Sequence, residues 1–153
     1  MANMFDNHMN RALEQARLAA DLGEVPVGAA IIHNQRVIAV AHNTVINKCD
    51  PTGHAEINAL KQAAIALGTP NLSDCDLYVT LEPCAMCAGA ISWARIRNLY
   101  FGAFDEKSGA IEHGARIFSQ STCHHRPTVY GGIMADECGG LVSHFFQGLR
   151  QKL

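Results

Sequence analysis

The chain has 153 residues, enough for one domain with a sizeable core, and with 48% hydrophobic and 17% charged residues it is neither a disordered chain nor a charged tail. A net charge of −2 leaves a nucleic-acid partner open, because a single-stranded loop can be held by a local patch and stacking. The longest apolar run, around Val37–Ala41, is too short to span a bilayer, and the opening Met-Ala-Asn-Met-Phe-Asp lacks the order of a secretory signal, so a cytoplasmic protein without membrane attachment is expected.

A first helix is predicted over about Asn7–Asp21, where Met9, Leu13, Ala16 and Ala20 recur at helical spacing and Gly23 supplies a stop. Val25–His33 and Arg36–His42 read as two strands around the turn Asn34-Gln35, their nearly continuous apolar content suggesting cover on both faces. After the turn Asp50-Pro51-Thr52-Gly53 a helix is predicted from His54 to Leu67, then a short strand, Asp76–Thr80. Pro83 suits the first turn of a helix running from Cys84 to about Ala94, and Asn98–Gly102 is a further strand. The Gly- and His-rich stretch 105–126 yields no element. A last helix over about Asp136–Arg150 would carry Cys138, Leu141, Val142, Phe145, Phe146 and Leu149 on one face. No internal repeat or linker interrupts this order. One α/β domain over residues 1–153, with three layers, α/β/α, is expected.

Six cysteines without a signal peptide point to metal ligands or buried thiols rather than to a disulfide framework. Cys84 and Cys87 lie three apart at a predicted helix start, which puts both sulfurs on one face, at the end where the helix favours thiolates. His54 starts the other helix. A His, Cys, Cys set leaves a tetrahedral zinc one open position, as a catalytic site needs. Glu56 stands two residues after His54, where a carboxylate can move the protons of an activated water. Alone, Cys-x-x-Cys is also a redox pair or half a zinc knuckle, and His-x-Glu alone carries little. Together, His54-Ala55-Glu56 and Pro83-Cys84-Ala85-Met86-Cys87 make the His-x-Glu…Pro-Cys-x-x-Cys signature of zinc deaminases that act on bases.

Over nearly its whole length the chain resembles the bacterial tRNA-specific adenosine deaminases of the cytidine deaminase superfamily. The resemblance rests on Glu24–Ala29, Asn43, Asp50–Glu56, Leu77–Ile91, Phe101-Gly102-Ala103, Asp105, Gly109-Ala110, Ala135–Cys138 and Phe145-Phe146. It implies a cytidine deaminase-like fold with a mixed sheet of roughly five strands, and a homodimer with one zinc ion per chain. Its activity would be conversion of adenosine to inosine at the wobble position of a tRNA anticodon loop. Asn43 then matches a position that hydrogen-bonds the flipped nucleoside, Val27 a pocket wall and Asp105 a position near the RNA backbone; Ala55 joins the substrate contacts as the middle residue of the matched His-x-Glu.

Val27 reads equally as core, and Asn43 as a cap of a strand end or turn. His125 and Arg126, within His124-His125-Arg126, are either a solvated loop or an RNA contact, and Arg116, Arg150 and Lys152 are further candidates for that contact. The chain departs from the family pattern at Gly53, at His144 and along Ile111–Phe118, a loop bordering the site. Two other functions share these features: deamination of a free base or nucleoside such as guanine or cytosine, and a non-catalytic zinc-stabilised RNA-binding module, for which Glu56 would have no use.

Overall fold

The computed structural model describes residues 3–152. Helix α1 spans Met4–Asp21; it starts earlier than its apolar spacing indicates because the Asn3 side chain caps it, accepting from the Asp6 N–H at 2.9 Å. Strands β1 (Gly28–His33) and β2 (Arg36–His42) form an antiparallel hairpin. Its turn residues, Asn34 and Gln35, both have positive φ, as a two-residue turn matching the strand twist requires. The expected start of β1 at Val25 moves to Gly28. Pro26 has no N–H for a ladder, and Val27 closes a tight turn by donating to the Val25 carbonyl at 2.8 Å.

Helix α2 (Ala55–Leu67), β3 (Cys75–Leu81), α3 (Ala85–Ala94) and β4 (Asn98–Ala103) follow, then β5 (Thr128–Gly131) and α4 (Ala135–Lys152). The sheet order is β2-β1-β3-β4-β5. β1 pairs antiparallel with both of its neighbours, and β3, β4 and β5 run parallel. The expected mixed five-stranded α/β/α arrangement is therefore the one found. β5 was not foreseen: four mostly exposed residues give no periodicity to read. Pro83 falls one position earlier than expected, ahead of the Cys84 cap of α3.

Side chains alternate between two cores, as the period of two in a strand demands. Ala29, Ile31, Leu77, Val79, Leu99 and Phe101 face α2 and α3; Ala30, Ile32, Tyr78 and Tyr100 face α1 and α4. β1 is buried on both faces as anticipated, whereas β2, at the sheet edge, is only partly covered. Of the expected apolar face of α4, only Cys138 is buried, packed where Gly102 leaves room.

Helix α1 lies against the sheet at Gly28, where a Cβ would overlap the Ala12 carbonyl oxygen and lie 2.5 Å from the Ala16 amide nitrogen. Gly28→Ala is expected to push α1 off the sheet at a cost of about 1–3 kcal/mol, lowering the thermal midpoint by roughly 3–10 °C. An unchanged melting curve would show that this contact does not set the helix position.

Candidate active site

His54 and Cys84 occupy the N-cap positions of α2 and α3, the two helices packed on the same sheet face. Neither uses its side chain as a cap, which leaves both free to turn toward each other. The first N–H of α2, that of Ala55, is satisfied instead by the Asn43 side-chain oxygen at 2.8 Å. Cys87, one turn into α3, completes the group. The His54 Nδ1 lies 3.5 Å from the Cys84 sulfur and 3.4 Å from that of Cys87, and all three donor atoms fall within 4.8 Å of one another. Tetrahedral zinc, with bonds of about 2.3 Å to sulfur and 2.0–2.1 Å to nitrogen, would separate S and N by roughly 3.6 Å, so the donors are spaced to hold a metal ion.

The protonation states fit the same reading. The Cys87 thiol and His54 draw Cys84 down to about 4, while Cys87 is pushed well above the ordinary thiol value by that contact and by burial. Contact with the Cys84 sulfur raises the His54 imidazole against the opposing effect of burial. A metal ion held by the three donors would favour the deprotonated thiols. Glu56, in the first turn of α2, is 4% exposed, and burial lifts its carboxyl to about 7, where it can both accept and return a proton near neutrality.

The cluster opens into a cavity of about 960 Å³. His54, Glu56 and Cys84 line its floor, and Val27 and Asn43 line it with them. Asp105 stands on one wall beside Phe104, and Phe146 and Arg150 of α4 on another. The structure thus places Val27, Asn43 and Asp105 on the cavity that the donor cluster also lines, and Ala55, buried, is bonded to Asn43. It does not bring His125 and Arg126 there. The His125 ring bonds the Ile96 carbonyl at 2.7 Å, and the Arg126 guanidinium bonds the carbonyls of Phe118 and Gln120, so their polar groups fasten the 118–126 segment. Arg116 is similarly engaged with the Glu112 carbonyl.

Two residues escaped the sequence reading. Glu24 and Glu82 are 1% and 2% exposed carboxylates that line the cavity without belonging to the cluster. Glu24 accepts from the Ile46 and Asn47 N–H groups and the Asn47 amide. Glu82 accepts from the N–H groups of Asp105, Ile111, Glu112 and His113 and from the His113 ring. Burial works to raise both carboxyls, but these donors outweigh it and hold both below the usual value. The only sequence signal was that both fall within stretches that carry the family resemblance.

Fold and site together are those of a deaminase, and the sequence matches the MafB19-like deaminase family over residues 3–136. It is 51% identical over 142 residues to the tRNA-specific adenosine deaminase of Agrobacterium fabrum, covering 93% of each chain. It is 47% identical over 147 residues to that of Rickettsia typhi, covering 95% of this chain and 99% of the relative. A solved structure from a study of A-to-I editing by tRNA:A34 deaminases superposes with a TM-score of 0.87 at 51% identity, covering 88% of this chain and 98% of that one. A guanine deaminase from Nitrosomonas europaea superposes at 0.73 with 26% identity, covering 92% and 83%. The chain belongs to this deaminase family, alongside the tRNA-specific adenosine deaminases.

Purified protein is expected to carry one metal ion per chain, bound by two sulfurs, one nitrogen and a lighter solvent atom in X-ray absorption. Cys87→Ala should lose the ion and melt at lower temperature, because metal binding and folding are linked. Four sulfurs around the ion, or a variant that keeps its metal, would contradict the assignment.

Proposed function

We propose that this protein is a zinc-dependent hydrolytic deaminase that converts adenosine to inosine at the wobble position of tRNA anticodons. The observation that carries the chemistry is a buried Glu56 with a near-neutral carboxyl beside a three-donor His, Cys, Cys cluster. The substrate follows from the family, whose tRNA-specific adenosine deaminases match nearly the full chain at up to 51% identity, against 26% for the guanine deaminase above.

Zinc, held by His54, Cys84 and Cys87, would supply the activation of a water molecule, whose pKa falls to about 7 in such sites. Glu56 takes a proton from the attacking water and returns it to the leaving amine, so that water and adenosine become inosine and ammonia. Asn43 presents its amide to the nucleoside while its oxygen stays fixed by Ala55. Val27 walls the base, and Asp105, on the cavity wall, meets the RNA backbone. In this reading Arg150, on the cavity wall, meets the RNA backbone; Arg126 keeps only an outer contact and His125 a supporting role.

A non-catalytic zinc module would close the metal with a fourth protein ligand. Among the described residues the cluster comprises three donors, and Glu56 lies outside it. The reading places the enzyme in the cytoplasm; no described helix is long and apolar enough to cross a membrane. The reading includes a homodimer, supported by Trp93, 75% exposed on α3, with Met86 exposed on the same helix. A monomer mass in light scattering at micromolar concentration would remove that part.

Glu56→Gln is expected to keep metal and fold while lowering turnover by roughly 10²-fold or more, since the amide cannot shuttle a proton. Near-normal turnover would take Glu56 out of the mechanism. The substrate is tested by competition between an anticodon stem-loop with adenosine at the wobble position and free guanine, cytosine and adenosine. The stem-loop is expected to win, because a loop nucleotide is already partly unstacked and its neighbours add binding energy. Preference for a free base would move the protein to the small-molecule deaminases.

A further inference from the structure

A buried carboxylate costs several kcal/mol unless its oxygens are satisfied, and Glu82 is satisfied by a single stretch of chain. Its Oε1 accepts from the Asp105 N–H at 3.0 Å and the His113 Nδ1 at 2.9 Å. Its Oε2 accepts from the N–H groups of Ile111, Glu112 and His113 at 3.2, 3.0 and 3.2 Å. The main chain beside it is tied to the same stretch: the Glu82 N–H donates to the Ala103 carbonyl at 2.8 Å, and the Ala110 N–H to that of Pro83 at 2.9 Å. Between these anchors lie Phe104 to Ser108, the residues that form one wall of the cavity. Gly109 lets the loop close around the carboxylate, for a Cβ there would stand 2.5 Å from the Glu82 Cδ and Oε2.

We propose that Glu82 is a positioning residue that fixes the 104–113 loop as a rigid substrate-binding wall and so sets affinity for the nucleotides around the target base. This rests on the tRNA reading above. Glu82 is not one of the clustered metal donors, and its carboxylate is spent on the loop. It acts through Phe104 and Asp105. The Phe104 ring is half-exposed at the cavity and packs edge-on against Phe101, with centroids 5.1 Å apart.

Two variants disturb this clamp from opposite sides. In Glu82→Gln an NH₂ replaces one acceptor oxygen, so two or three loop donors face a donor. In Gly109→Ala the carboxylate keeps its charge and both acceptor oxygens, while the added Cβ presses on it and on the Asp105 carbonyl and pushes the loop away. Both are expected to keep one metal ion per chain and to exchange the amides of Asp105, Ile111, Glu112 and His113 faster by hydrogen exchange. Both should raise KM for the anticodon stem-loop by on the order of 10- to 100-fold, with kcat per metal-loaded chain changed less than about 3-fold, the pattern of lost uniform binding. Glu82→Asp, which keeps the charge but has a shorter reach, should fall between Gln and the native residue. An unchanged KM with kcat falling in step with metal content would make Glu82 a support for Cys84 only and overturn the proposal. Unchanged exchange at the four amides would overturn it too. If the native protein deaminates a free base and not the stem-loop, the functional reading fails. The positioning role is then decided by KM for that base and by the same amides, an unchanged value of either counting against it.

Discussion

Three donor atoms must meet around one small volume, and they come from chain positions 30 and 33 residues apart. The parallel pairing of β3 and β4 makes the meeting possible. α3 is the crossover between them, so its N-terminus starts where β3 ends, and α2 lies beside it over the same sheet face. Two helix starts thereby stand together, with N–H groups and positive dipole ends directed at the thiolates. The cost falls on the helix caps. His54 and Cys84 occupy cap positions without capping, and Asn43, at the end of β2, satisfies the Ala55 N–H in their place. One asparagine thus stabilises the start of α2, leaves the histidine free and stands at the cavity floor.

Around this centre two of the cavity walls are loops, and each is held by a charge, while α4 forms another. Glu24 gathers the amides of Ile46 and Asn47; Glu82 gathers four amides and a ring of the 105–113 segment. A loop has no ladder of its own to satisfy its N–H groups, and a carboxylate accepts several at once with charge-assisted strength. The arrangement also explains how the divergent stretch Ile111–Phe118 remains compatible with the fold. Three of the donors are backbone amides of Ile111, Glu112 and His113, which most side-chain changes leave in place. The His113 ring is an addition particular to a histidine there.

The division of labour in the site follows from burial. Glu56 lies deepest, so desolvation outweighs its hydrogen bonds and its carboxyl rises to about 7; at Glu24 and Glu82 the backbone donors outweigh burial and hold the carboxyls below the usual value. Three carboxylates in one cavity therefore divide into one that can exchange a proton near neutrality and two that stay charged and hold the walls.

The sequence by itself determined the chemistry and most of the scaffold. His54, Cys84, Cys87 and Glu56 were legible as a candidate site because the metal binding and proton transfer proposed for them need particular residue types at short fixed spacings. The hairpin, α2 and the order of strands and helices were legible because apolar periodicity is a local property. Tertiary structure alone decided the rest. β5 carries no periodic pattern and exists because β4 offers an unpaired edge to the four residues after Pro127. His125 and Arg126 look like surface cations in sequence, yet carbonyls of Ile96, Phe118 and Gln120 engage them, and which carbonyls come near is a matter of folding. Glu24 and Glu82 read as ordinary acidic residues because a carboxylate's partners here are backbone amides 22 to 31 residues away, and an N–H group has no signature in sequence.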